Sequence, residues 1–148
     1  MKLLQKTITC FLFLLLTSIF VNCSKEENTP EPSVDNVALL LAKSWKISST
    51  VMITTNGNIN QTIPNCRLDN LWEYNPSRQF YLYPGVNKCS ATEVTQIGNW
   101  ELVNNNKGLK ITLAGGSYTD EIVFLDANTL QLKYVTGTAA YIDTYIPN

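Results

Sequence analysis

From residue 45 to residue 146 the chain is a series of short segments in which apolar and polar residues alternate, each ending in a cluster of turn formers. A period of two puts every second side chain on one face of a strand, a pattern an α-helix cannot use. Residues 45–54 carry Trp45, Ile47, Val51 and Ile53 on one face and stop at Asn56-Gly57-Asn58, where glycine supplies the positive φ of a hairpin. Residues 59–63 pair back before Pro64. Residues 70–74 and 79–83 flank Asn75-Pro76-Ser77-Arg78, and Pro84-Gly85 ends the second of them. Residues 92–103 set Val94, Trp100 and Leu102 on one face, with Gly98 as a bend. The segments 109–113, 118–125, 129–135 and 140–146 follow, separated by Gly115-Gly116, Asp126-Ala127-Asn128 and Gly137.

Eight or nine strands joined by short turns give an all-β antiparallel up-and-down meander. Such a sheet has two unpaired edges, and closure into a barrel removes them. A flat sandwich is the alternative, although sandwiches usually have longer crossover connections. Ahead of the strands, VALLLAK after Asp35 reads as a short N-terminal helix through Lys43, with Asp35 as its cap.

The first 35 residues have a different character. Lys2 and Lys6 precede a 15-residue apolar run, residues 7–21, which is shorter than the ~20 residues a spanning helix needs. Residues 1–22 therefore read as a signal peptide. Its end, Phe20-Val21-Asn22-Cys23, resembles the lipobox of bacterial lipoproteins, with Asn22 where Gly, Ala or Ser is usual. That resemblance implies that Cys23 receives a diacylglycerol and becomes the new N-terminus. Ser24-Lys25-Glu26-Glu27 resembles the acidic export signal of Bacteroidetes lipoproteins, which implies the outer face of the outer membrane, with the periplasmic face as the alternative. Residues 23–35, with two prolines, four acidic residues and no aromatics, read as a disordered tether leading to a domain at residues 36–148.

Cysteine usage then narrows. With Cys10 removed and Cys23 lipidated, Cys66 and Cys89 are left, and an exported chain is expected to join them in a disulfide. A redox or metal pair would call for CxxC spacing or a neighbouring histidine. The chain has no histidine at all, which excludes Ser-His-Asp and Cys-His devices and the commonest metal ligand. A net charge of −1 leaves no basic footprint for nucleic acid.

The domain resembles the lipocalin-like domains of Bacteroidetes lipoproteins. The resemblance rests on Leu40-Leu41-Ala42-Lys43-Ser44-Trp45, then Cys66-Arg67-Leu68-Asp69-Asn70-Leu71-Trp72-Glu73-Tyr74, then Cys89 ahead of Gly98-Asn99-Trp100-Glu101-Leu102, and Asn128-Thr129-Leu130-Gln131-Leu132. It implies a lipocalin-like barrel. Lys43 stands where lipocalins proper carry the first-strand glycine, which sets the kinship with the lipocalin-like group.

All three Trp and all seven Tyr lie in this domain. Inward aromatics of a small barrel either fill it or line a pocket for an apolar ligand. Trp45 and Trp100 read as core, and the candidate ligand-lining residues are Trp72, Tyr74, Tyr81, Trp100, Tyr118 and Tyr134. The carboxylates give no catalytic pair: Asp120 and Glu121 are adjacent in a strand and point to opposite faces, and Glu73, Glu93, Glu101, Asp126 and Asp143 read as solvated surface. No metal or cofactor is expected. Two readings stay open: a non-catalytic, lipid-anchored barrel holding a small apolar or amphipathic ligand, or a solid barrel that presents its surface to an envelope protein partner.

Overall fold

Short turns leave no chain for a crossover, so each strand pairs with the next. The structure, a computed structural model, describes residues 37–38 and 41–148. The expected signal peptide, lipidated Cys23, tether and Asp35 cap lie outside them. Among the described residues run β1 (Ser44–Thr54), β2 (Gly57–Gln61), β3 (Leu71–Tyr74), β4 (Gln79–Tyr83), β5 (Gln96–Val103), β6 (Gly108–Leu113), β7 (Gly116–Leu125), β8 (Leu130–Thr136) and β9 (Ala139–Pro147). A single helical turn, α1 (Asn65–Leu68), separates β2 from β3.

All pairings are antiparallel, in the order β2-β1-β3-β4-β5-β6-β7-β8-β9, and β1 also pairs with β9. One edge of β1 is paired with β9 from Trp45 to Ile53, while the other is shared. Ser44 and Trp45 meet β3, and Thr50 to Thr54 meet β2. Eight strands therefore close a barrel, and β2 is an extra strand outside the ring. The meander expectation is met, and closure leaves no long open edge.

One end of the barrel is filled. Val37, Ala38 and Leu41 are helical, and Leu41 is fully buried beside Trp45, Phe80, Leu109 and Leu130. The Trp45 indole N–H donates to the Leu41 carbonyl at 3.0 Å, and Lys43 Nζ donates to the Ala127 carbonyl at 2.9 Å. The helix stops at Leu41 rather than Lys43, because Ser44 already belongs to β1. Beside the floor, Gly98 packs where a Cβ would run into the Thr112 carbonyl, which explains a glycine on the inner face of β5.

Two sequence expectations are corrected. In β1 the pairing with β9 shifts between Ile47 and Ser49, a bulge. The bulge reverses the faces that follow: Thr50 is buried, while Val51 and Ile53 turn outward from the face of Trp45 and Ile47. Residues 92–95 are not strand, and Val94 is 71% exposed in the β4–β5 loop. Residues 65–68, unassigned by periodicity, form α1.

The expected disulfide is present. Cys66 on α1 and Cys89 in the β4–β5 loop are bridged with a Cα–Cα distance of 5.0 Å. The same junction is tied by Asp69 Oδ2, which accepts from the Asn87 backbone N–H at 3.1 Å, and by Asn70 Oδ1, which accepts from Gly85 N–H at 2.8 Å. α1 is thereby held over the end of the barrel opposite the helical floor.

Candidate functional site

The site follows from strand register. Cross-strand partners share a face, so the inner wall can be read row by row. Leu130 and Tyr145 form one inward row, Leu132 and Asp143 the next, Tyr134 and Tyr141 the next. Thr50 and Met52 of β1 continue the last two rows from the bulge onward. On the other side of β8, Asp120 and Tyr118 of β7 lie beside Leu109 and Ile111 of β6. The bulge at Ser48 decides the chemistry: it brings Thr50 inward, where its hydroxyl donates to Asp143 Oδ1 at 2.6 Å.

Above the apolar floor runs a belt of polar side chains. Asp143 is 2% exposed, and its Oδ2 lies 3.4 Å from Arg67 Nη2 of α1 and accepts from the Tyr145 hydroxyl at the same distance. The sequence reading placed Asp143 on the solvated surface; the barrel buries it, because Tyr141, Asp143 and Tyr145 alternate on the inner face of β9. A buried carboxylate is tolerated when it is paired and hydrogen-bonded, and here an arginine and two hydroxyls do this. Arg67 reaches in from a turn that the neighbouring Cys66–Cys89 bridge anchors.

Asp120 has a different environment. Burial, with repulsion from Asp143, pushes its carboxyl up to about 6 from an ordinary 3.8. Tyr118 beside it is pushed up to about 12 by burial and by the Asp120 charge. Burial likewise raises Tyr74 on the opposite wall, with Tyr118 and Asp120 adding to it. Tyr145 is raised by burial and then by Asp143. Tyr134 is raised by burial and by Asp143, against the opposing pull of Arg67. These groups, on β3, β7, β8 and β9, act on one another across the barrel interior. A carboxyl perturbed by both desolvation and a like charge inside a concave site is a recurring mark of function.

The belt is reachable from outside. Tyr118 is 45% exposed, and Met52, Leu82, Leu113, Asp120, Ile122, Tyr134 and Tyr141 are half-buried although all face inward. Inward side chains on the floor side, by contrast, are at or near zero exposure: Trp45, Phe80, Trp100, Leu109 and Ile111. The barrel is thus packed at one end and open at the other, with polar groups at the boundary and Leu82, Leu113 and Ile122 supplying apolar wall. Among the described residues no group of three or more Cys, Asp and Glu could hold a metal ion.

Of the six aromatic candidates, Tyr74, Tyr118 and Tyr134 lie in or beside the belt. Trp72 is buried just below it, edge-on to Tyr145 with ring centroids 5.2 Å apart. Trp100 belongs to the floor, 2% exposed, its indole donating to the Asn75 carbonyl at 2.9 Å and Arg78 lying over its ring at 4.3 Å. Tyr81 lies on the outer wall, paired with Glu73 and Ile97 and stacked on Tyr83 at 5.7 Å. Its neighbours Phe80 and Leu82 take the inner face. The sequence reading missed Asp120, Asp143, Arg67 and Thr50. The first two were signalled by tyrosines two residues away on the same strand face.

The cost of Asp120 is measurable. Its folded pKa lies above the unfolded value, so below about pH 4 both states carry the proton and nothing is lost. As pH rises from about 4 to about 6 the unfolded chain ionises first and stability falls. Discounted for partial exposure, Asp120→Asn should raise the unfolding free energy by about 1–2 kcal/mol at pH 7.5, and by nothing below about pH 4. Urea unfolding at the two pH values reads this, and a loss of stability at pH 7.5 would contradict it.

No protein-family model matches the sequence, and no curated protein is significantly similar to it. Among solved structures the chain is similar to a lipocalin-like protein from Bacteroides uniformis ATCC 8492. The two share 14% identity and a TM-score of 0.53, over 74% of this chain and 99% of that one. An uncharacterized protein from Bacteroides eggerthii DSM 20697 is similar at 15% identity and TM-score 0.47, over 70% of this chain and 98% of the other. The first likeness shows a lipocalin-like fold.

Proposed function

We propose that this chain is a lipid-anchored, surface-exposed protein of the outer membrane whose barrel holds a small amphipathic molecule and catalyses no reaction. The observation that carries the ligand reading is the accessibility of inward-facing side chains above a filled floor. A barrel that served only as a solid support would bury Tyr118, Met52 and Leu113 as fully as it buries Ile111. An apolar wall with a few convergent polar groups is the usual composition of a small-molecule site.

The anchoring reading rests on the lipobox-like Phe20-Val21-Asn22-Cys23 and the acidic residues after it. With Lys2 and Lys6 removed, nine basic residues face twelve acidic ones, a modest negative charge suited to remaining in water beside an anionic membrane. A second reading, docking of an envelope protein at the mouth, is favoured by Val86 at 95% and Val94 at 71% exposure on the β4–β5 loop.

Titration with decanol, an uncharged ten-carbon chain, separates the two. Trp72 touches Tyr145 of the belt, so ligand entry is expected to change the intrinsic tryptophan emission saturably, with one chain bound per barrel. A flat response up to the solubility limit of decanol would count against the ligand reading.

A further inference from the structure

The charges of the belt do not balance, and the imbalance bears on what a ligand must bring. Arg67 is committed to Asp143 at 3.4 Å, and Asp143 also accepts from Thr50 and Tyr145. The nearby carboxylates on the outer wall have their own partners. Glu121 pairs with Lys133 at 2.8 Å and Glu101 with Lys110 at 2.7 Å, both on the face turned away from the interior. Asp120 has no such partner among the described residues. The groups that act with it are Tyr118 on its own strand, Tyr74 on β3, and Asp143 and Tyr145 on β9, and none of these is a cation. Two carboxyl groups thus share one guanidinium, and the one without it faces the accessible part of the barrel.

Resting on the ligand reading above, we infer that the amphipathic ligand carries a positively charged head, an ammonium or similar cation, and that Asp120 is its counter-ion. A cation there would complete the belt: two carboxylates, one guanidinium and one ligand charge. The accessible phenol ring of Tyr118 on the same strand suits a cation as well, since aromatic faces attract it. A carboxylate head, as in a fatty acid, would be repelled by Asp120, and the Arg67 charge that could attract it is already paired with Asp143. The apolar part of the ligand would lie along Leu82, Leu113 and Met52 toward the mouth. The raised pKa of Asp120 fits the same picture: burial, and then the Asp143 charge, make a carboxyl with no counter-ion beside it hold its proton more tightly.

The test compares three ten-carbon chains that differ only in the head: decylammonium, decanol and decanoate. Calorimetric titration of the chain lacking residues 1–22 at pH 7.5 is expected to rank decylammonium at least about tenfold tighter than decanol, as a charge-assisted pair warrants, and decanoate weakest. Asp120→Asn should bring decylammonium to within about threefold of decanol. Equal affinities for decylammonium and decanol in the unmodified protein, or tightest binding of decanoate, would overturn the inference and leave the ligand reading standing. Failure of all three chains to bind would overturn both. Because the ranking is measured on the unmodified protein, it decides the matter even if Asp120→Asn fails to fold.

Discussion

Trp45→Ala should lower the unfolding free energy by about 3–5 kcal/mol, a large part of what a domain of this size has. Trp45 is fully buried, at the point where β1 is paired on both sides, with Trp72 on β3 and Pro147 on β9. Its indole N–H holds the Leu41 carbonyl at 3.0 Å, and Lys43 lies over its ring at 5.1 Å. Truncation would leave a cavity between the helical floor and the wall and remove one of two hydrogen bonds to the Leu41 carbonyl, the other coming from the Lys43 N–H at 2.7 Å. Trp45→Phe would restore most of the apolar contact but not the hydrogen bond, so it should recover about half of the loss. Urea unfolding with an unchanged m-value reads both. A cost below about 1 kcal/mol for the alanine would mean that the floor does not depend on this side chain.

Cys23→Ala is expected to move the protein from the membrane fraction to the soluble one. Each buried CH₂ contributes about 0.8 kcal/mol to anchoring, so two long acyl chains hold nearly irreversibly while one removed attachment point releases the whole domain. The substitution should leave decanol binding unchanged, since Cys23 precedes the domain by more than a dozen residues. Fractionation of cells expressing the variant checks it. A variant that stays with membranes would overturn the lipobox assignment.

The strands could be read from the sequence because alternation and turn residues are local signals. Gln79–Tyr83 coincides with its expected span, and Leu109 and Ile111 face inward as the alternation required. Failures came where one local event governs many residues. The bulge near Ser48 reverses the faces of the second half of β1, and only the pairing with Tyr145 and Thr144 reveals it. Tyr81 could have been set aside from sequence: Phe80 and Leu82 are more apolar and claim the inner face of the same five-residue strand.

The polar belt was only half legible. Tyr118-Thr119-Asp120 and Tyr141-Ile142-Asp143 each show a carboxylate on the face of a tyrosine, which is unusual for a solvated wall. What could not be read was that β7 and β9, two strands apart, bring Asp120 and Asp143 within mutual influence. Nor could Arg67, on a turn fastened by a disulfide, be placed beside Asp143 without the closed barrel.

The most direct test of the central claim, an open and accessible upper half of the barrel, is the decanol titration followed residue by residue by NMR. The expected result is a saturable shift of the side-chain signals of Met52, Leu82, Leu113, Tyr118 and Ile122, with Tyr81 and Ile97 on the outer wall unmoved. Shifts confined to the outer wall or the β4–β5 loop, with those five signals unchanged, would contradict it.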